Sequence, residues 1–262
     1  MKRTIMLFAG ILLFILSYGQ SEHQQIPQFE KGVFNNDNQE KLPYRLLYPS
    51  HYQSNKKYPL VLFLHGAGSQ GEDNERQLEE VPELFLNATS SEKQACFVLA
   101  PQCPKNDAWA FFPQYPICST TKEPSHASQL TLELIDSLVS SLKIDGQRIY
   151  VTGLSLGGEG TFDIITRRPY YFAAAVPVCG IADTAKVDLM KSTPLWIFHG
   201  DSDDINPVDY SRNVVKALKI KGVVPIYTEY KGVKHDSWTQ AYQEPELLNW
   251  MFKQKRTDVQ VE

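Results

Sequence analysis

Ser155 stands in Gly153-Leu154-Ser155-Leu156-Gly157, a serine with a glycine two residues to either side. A serine hydroxyl attacks a carbonyl only when a base takes its proton, so this residue predicts partners elsewhere in the chain. The G-x-S-x-G pattern gains its meaning from its setting. A strand must precede it and a helix follow it, with a turn sharp enough to strain the serine backbone and expose Oγ. Residues 149–152 read as that strand and Leu156–Arg167 as that helix. The helix start adds a partial positive charge beside the hydroxyl. The chemistry expected is acyl transfer to serine, then hydrolysis.

The chain order for such a site is serine, acid, histidine. His199-Gly200-Asp201-Ser202-Asp203-Asp204 follows the apolar run at residues 195–198. Asp203 best suits an acid that must reach past a strand tip. Asp204 and Asp201 stay open as alternatives that cap or solvate the turn. His235 lies in the loop after Ile226–Tyr230 and is the expected base. His23, His51 and His126 fit worse by position, and His65 and His199 read as loop-holding side chains at strand ends. An oxyanion hole needs two backbone N–H groups. Leu156 supplies one, and His65-Gly66-Ala67-Gly68 supplies the other, with Ala67 preferred and Gly66 next. His235 would take the Ser155 proton and Asp203 would orient His235. This chemistry needs no metal or organic cofactor, and no tight Cys/His spacing suggests a metal site.

The elements that must position these residues are legible as alternating apolar patterns. Uninterrupted apolar runs at residues 42–48, 59–64, 95–100, 149–152, 172–178, 195–198 and Ile226–Tyr230 suit strands buried on both faces. Between them lie helical patterns at residues 126–142, Leu156–Arg167, Asp209–Ile220 and 245–255. The first carries Leu130, Leu134, Leu138 and Leu142 on one face. Alternating strands and helices predict a mostly parallel central sheet flanked by helices on both faces, and the Ser155 motif at a strand-to-helix turn makes the expected fold that of an α/β-hydrolase. Functional residues then collect at the carboxyl ends of the strands.

The 262 residues suit one large domain, and 42% hydrophobic with 21% charged residues argues for a packed core. The net charge of −4 gives no surface for tracking nucleic acid. Lys2 and Arg3, an apolar run from Ile5 to Leu16, and Ser17-Tyr18-Gly19 outline a secretory signal peptide over residues 1–19. The apolar run is about 12 residues, short of the roughly 20 that span a bilayer. The division expected is residues 1–19 as leader, 20–256 as catalytic domain and 257–262 as polar tail, in a secreted or periplasmic protein with no membrane contact after cleavage. Of Cys96, Cys103, Cys118 and Cys179, the pair Cys103–Cys118 flanks one loop and is the more plausible disulfide. Residues 107–115 (D-A-W-A-F-F-P-Q-Y) form an aromatic loop whose rings either offer a substrate surface, with Trp109 a candidate, or pack the domain's own surface. Trp238 could line the site or buttress His235.

Leu64-His65-Gly66-Ala67-Gly68, Gly71-Glu72-Asp73-Asn74, Ala100-Pro101-Gln102-Cys103, the Ser155 motif, the Asp203 motif and His235-Asp236-Ser237-Trp238 occur in the order found in secreted α/β-hydrolase esterases. The chain resembles the feruloyl and acetyl-xylan esterases of carbohydrate esterase family 1 and polyhydroxybutyrate-depolymerase-like relatives. The resemblance covers nearly the whole mature chain. It implies ester hydrolysis, with a polysaccharide-linked ester as partner, and supports Asp203 and the Ala67 loop. Glu159 departs from that pattern, where an uncharged residue is usual. A peptidase on the same core, and a non-catalytic carbohydrate-binding protein, are the other classes. The acyl group, the alcohol and the oligomeric state are not set by the sequence.

Overall fold

Each apolar run becomes a strand, and the strands join in one 8-stranded sheet of order β1-β2-β4-β3-β5-β6-β7-β8. The computed structural model describes residues 29–256 apart from Ser90, Glu92 and residues 114–117. The expected leader and polar tail lie outside the described residues. The strands are β1 (Glu30–Asn35), β2 (Lys41–Leu47), β3 (Tyr58–Leu64), β4 (Phe97–Pro101), β5 (Ile144–Leu154), β6 (Ala174–Val178), β7 (Trp196–Gly200) and β8 (Ile226–Tyr230). From β3 onward neighbours pair parallel, while β1–β2 and β2–β4 pair antiparallel.

The parallel strands are buried along their length: every residue of β3, β4, β6 and β7 is buried. Continuous apolar runs are therefore required there, because both faces meet helices. One face packs on α2 (His126–Ser141), α3 (Leu156–Arg167), α4 (Val187–Met190) and α5 (Asp209–Ile220). The other packs on α1 (Glu83–Thr89), α6 (Trp238–Ala241) and α7 (Leu247–Lys253). Helix α2 shows how the sequence specifies this. Ser125 caps it, its Oγ accepting from Ser128 N at 3.2 Å. Leu130, Leu134 and Leu138 are buried against the sheet, each contributing about 2 kcal/mol by leaving water.

Four elements were not expected: β1, α1 and the four-residue helices α4 and α6. Strand β1 pairs at the sheet edge with no buried residue, and Val33 is 51% exposed, so it carries no apolar run. Helix α1 has seven residues, too few to show a periodic pattern. No helix among the described residues is long and apolar enough to cross a membrane.

Candidate active site

The nucleophile turn follows from strand register. In β3 and β5, Leu64 sits opposite Gly153. In β5 and β6, Leu154 sits opposite Val178. The chain must therefore turn into α3 within one residue while two strands crowd it. Ser155 takes that turn at φ 52°, ψ −117°, a conformation unfavourable for a residue with a Cβ. Its N–H donates to Val178 O at 3.0 Å, which anchors the turn. A Cβ on Gly153 would strike the Gly157 carbonyl, and one on Gly157 would strike the Leu64 carbonyl. The two glycines of the motif thus permit the close crossing of helix and strand.

Ser155, His235 and Asp203 come together as expected. His235 Nε2 lies 2.8 Å from Ser155 Oγ, and His235 Nδ1 lies 2.8 Å from Asp203 Oδ2. The two loops that carry acid and base are tied to one another. Asp201 N donates to Tyr230 O, and Ser202 N donates to Val233 O, each at 3.0 Å. The alternative aspartates are engaged elsewhere. Asp201 Oδ1 accepts from Gly232 N at 2.7 Å, and Asp204 pairs with Lys234 at 3.1 Å on the surface.

Asp203 is buried and fully used. Its Oδ1 accepts from the Ile205 and Asn206 amides, each at 2.9 Å. Its Oδ2 takes a second histidine besides His235: His199 Nε2 at 3.2 Å. His199 Nε2 also donates to Asn206 O at 2.8 Å, so it carries the proton there. Its Nδ1 then accepts from Ser211 Oγ at 2.7 Å. Burial pushes the His199 ring below its ordinary range, which keeps it neutral. Sequence reasoning placed His199 as a loop holder; its bond to the acid was missed. The spacing His199 to Asp203 across one turn is the signal that could have found it.

On the other side of Ser155, the Leu156 amide opens α3 and has no intrahelical acceptor. The Gly66 amide is spent on Glu80 Oε2 at 2.6 Å, which removes it as an oxyanion donor. The Ala67 amide has no hydrogen-bond partner among the described residues. His65 is buried. Its Nδ1 contacts Gly66 O at 2.6 Å and its Nε2 accepts from Cys103 N at 3.0 Å. Burial lowers its pKa.

Trp109 is not a substrate surface. It is fully buried, its Nε1 donating to His65 O at 3.0 Å and its ring meeting the His65 ring edge-on at 5.2 Å. A large ring with one N–H is stable inside only where that N–H finds an acceptor, and the His65 carbonyl is one. Among the described residues of that loop Phe111 is the exposed aromatic, at 41%. Gln114 and Tyr115 lie outside the described residues. Trp238 stands edge-on to the His235 ring at 5.4 Å and 90°, the buttress geometry.

None of the four cysteines is in a disulfide, so the expected Cys103–Cys118 bridge is absent. Cys103 is buried and faces the Gln70 amide at 4.0 Å, while Cys118 lines an open groove with Tyr210. Cys179, Asp203 and His235 bring possible metal-ligand atoms within 4.8 Å of one another. The relay already occupies two of the three, and burial pushes the Cys179 thiol up to about 12. Glu159, one helical turn beyond Ser155, has its carboxyl raised to about 8 by burial, an effect that the nearby Asn206 side chain opposes. Burial thus favours its protonated form. The arrangement offers a hydroxyl, a base, a fixed acid and unspent amides, the parts needed to attack a carbonyl and hold the resulting oxyanion.

The chain is similar to several known proteins. The family profile described as Phospholipase/Carboxylesterase matches residues 51–246. The crystal structure of a thermostable esterase superposes with TM-score 0.81 and 37% identity, over 88% of this chain and 64% of that one. NocK of Nocardia uniformis subsp. tsuyamanensis, an esterase by name, is 25% identical over 153 residues, covering 58% of this chain and 42% of NocK. A ferulic acid esterase structure shares the fold at TM-score 0.66 and 17% identity, over 86% of this chain and 99% of that one. The chain spans under two thirds of the length of both the thermostable esterase and NocK.

Proposed function

The chain belongs to the phospholipase/carboxylesterase family of α/β-hydrolases, and on that premise we propose that it is an exported serine esterase that removes acetyl or feruloyl groups from plant cell-wall polysaccharide. The observation that carries the ester-hydrolase part is the continuous relay Ser155 Oγ–His235–Asp203, with both hydrogen bonds at 2.8 Å.

Ser155 Oγ attacks the ester carbonyl as His235 Nε2 takes its proton. Asp203 holds His235 in the tautomer with Nδ1–H and stabilises the imidazolium. The Leu156 and Ala67 amides receive the oxyanion. The tetrahedral adduct collapses, and His235 returns the proton to the leaving alcohol. Water, deprotonated by His235, then releases the acid and regenerates Ser155.

Support for the polysaccharide ester comes from the motif order shared with feruloyl and acetyl-xylan esterases. The exposed Phe111 offers a ring surface that suits sugars or a cinnamoyl group. Support for export comes from the leader pattern of residues 1–19. Purified protein is tested on p-nitrophenyl acetate, acetyl-xylan, feruloylated arabinoxylan and a p-nitroanilide. Release of acetate or ferulate from the polysaccharides is expected. Ester turnover confined to the small p-nitrophenyl ester would remove the cell-wall assignment, and faster p-nitroanilide cleavage would favour a peptidase. The intact mass of exported protein should lack residues 1–19.

A further inference from the structure

Glu80 ends a 3-10 turn, Arg76–Glu80, that packs over the loop after β3. It is a half-buried carboxylate with no ion pair among the described residues. Both of its oxygens are nevertheless used. Oε2 accepts from the Gly66 N–H at 2.6 Å, and Oε1 accepts from Ser69 Oγ at 2.6 Å. A carboxylate removed from water needs such donors, and bonds to an ionised acceptor are about twice as strong as neutral ones.

The two donors bracket Ala67 and Gly68. Gly66 itself rests on the strand that delivers the nucleophile: a Cβ there would stand 2.9 Å from Leu154 Cδ1 and 3.2 Å from Glu80 Oε2. The loop therefore has β5 on one side and Glu80 on the other. Gly66 O is held by Ser69 N at 3.2 Å, closing a short turn over Ala67. In this turn the Gly66 amide is consumed by Glu80 and the Ser69 amide by Gly66 O, while the Ala67 and Gly68 amides have no partner among the described residues.

We infer that Glu80 is a positioning residue for the oxyanion loop, its carboxylate clamping Gly66 and Ser69 so that the Ala67 amide stays unspent beside Ser155. This rests on the reading of Ser155 as nucleophile. Glu80 touches no reacting atom; it acts through the loop. Transition-state stabilisation should depend on it more than ground-state binding does, because the oxyanion exists only in the transition state and the tetrahedral intermediate.

The test compares E80A, E80D and E80Q with wild type on p-nitrophenyl acetate, with phenylboronic acid as a tetrahedral mimic. Losing a whole oxyanion donor costs roughly 10²–10³ in kcat, so loosening one should cost about 10- to 100-fold. In E80A we expect that fall in kcat with KM within about twofold, and boronate affinity weakened by a similar factor. E80Q should recover most of kcat, since its amide can accept from Gly66 and donate to Ser69 Oγ. E80D, one methylene short, cannot reach both donors and should lose kcat several-fold. A purely structural role would lower Tm and leave kcat per folded molecule unchanged, and that result would overturn the inference. If E80A does not fold, E80D decides in the same way. S155A separates the two readings. Activity surviving in S155A overturns the acyl-serine mechanism, whereas an inert S155A beside wild-type kcat in E80A and E80D overturns the Glu80 role alone.

Discussion

Ser155 and Ala67 stand just beyond the ends of neighbouring strands, yet different forces fix them. Ser155 is locked by backbone: a positive φ, an amide bond to Val178 O, and two glycines that let α3 cross β3. The loop around Ala67 is locked by side-chain hydrogen bonds to and from distant segments. Glu80 holds Gly66 and Ser69, Trp109 holds the His65 carbonyl, and Gln70 reaches Asp107 O at 2.6 Å. The nucleophile is thus set by the strand order and a five-residue motif. The oxyanion side is set only when the chain segments at 65–71, 76–80 and 102–109 have met.

The largest expected effect tests whether the backbone-locked side also leans on one side chain. Asp203→Asn keeps the shape but no longer favours Nδ1–H on His235, and kcat should fall about 10⁴-fold with the fold intact by circular dichroism. A loss below about tenfold would mean that the turn, and not the acid, orients the base. On the side-chain-locked half, Trp109→Ala empties a fully buried site and frees the His65 carbonyl. Stability should drop by about 3–5 kcal/mol in urea unfolding, with kcat lowered and KM little changed. A raised KM alone would return Trp109 to the substrate surface.

Glu159 sharpens the comparison through pH. Folded, its carboxyl holds its proton up to about 8; unfolded, it ionises near its ordinary value of about 4.5. Between those values the unfolded chain releases a proton that the folded chain keeps. The stability contribution is full below about pH 4.5 and is lost as pH rises through about 8, a change of a few kcal/mol. Urea titrations of wild type and Glu159→Gln across that window should diverge, the variant lacking this part of the slope. Parallel curves would show the carboxyl to be ionised at neutral pH. The smallest effect belongs to Asp204, exposed and paired with Lys234. Asp204→Asn should leave kcat within about twofold, and a larger fall would put Asp204 back among the acids.

The same contrast explains what could be read from the sequence. Ser155, His235 and Asp203 were legible because each lies in a local pattern at a strand end. The strands were legible because burial on both faces demands apolar runs. Strand β1 was hidden because its exposed edge demands none. Glu80 was hidden because its partners lie 14 and 11 residues back in a polar segment, where nothing periodic marks it. Trp109 was misread because an aromatic-rich loop looks the same whether its rings face in or out; the His65 carbonyl that accepts its N–H decides, and sequence does not show that acceptor. The Cys103–Cys118 pairing failed for a similar reason, since flanking one loop does not turn two side chains toward each other.

The double hold on Asp203 has a consequence for how such a site can change by descent. The acid and the second histidine that braces it lie in one stretch, His199 to Asp203, and the Asn206 carbonyl and amide that complete the brace follow at once. Acid and support are therefore inherited together. A single local exchange can remove or import both, whereas rebuilding the oxyanion side requires matched changes in three separate parts of the gene.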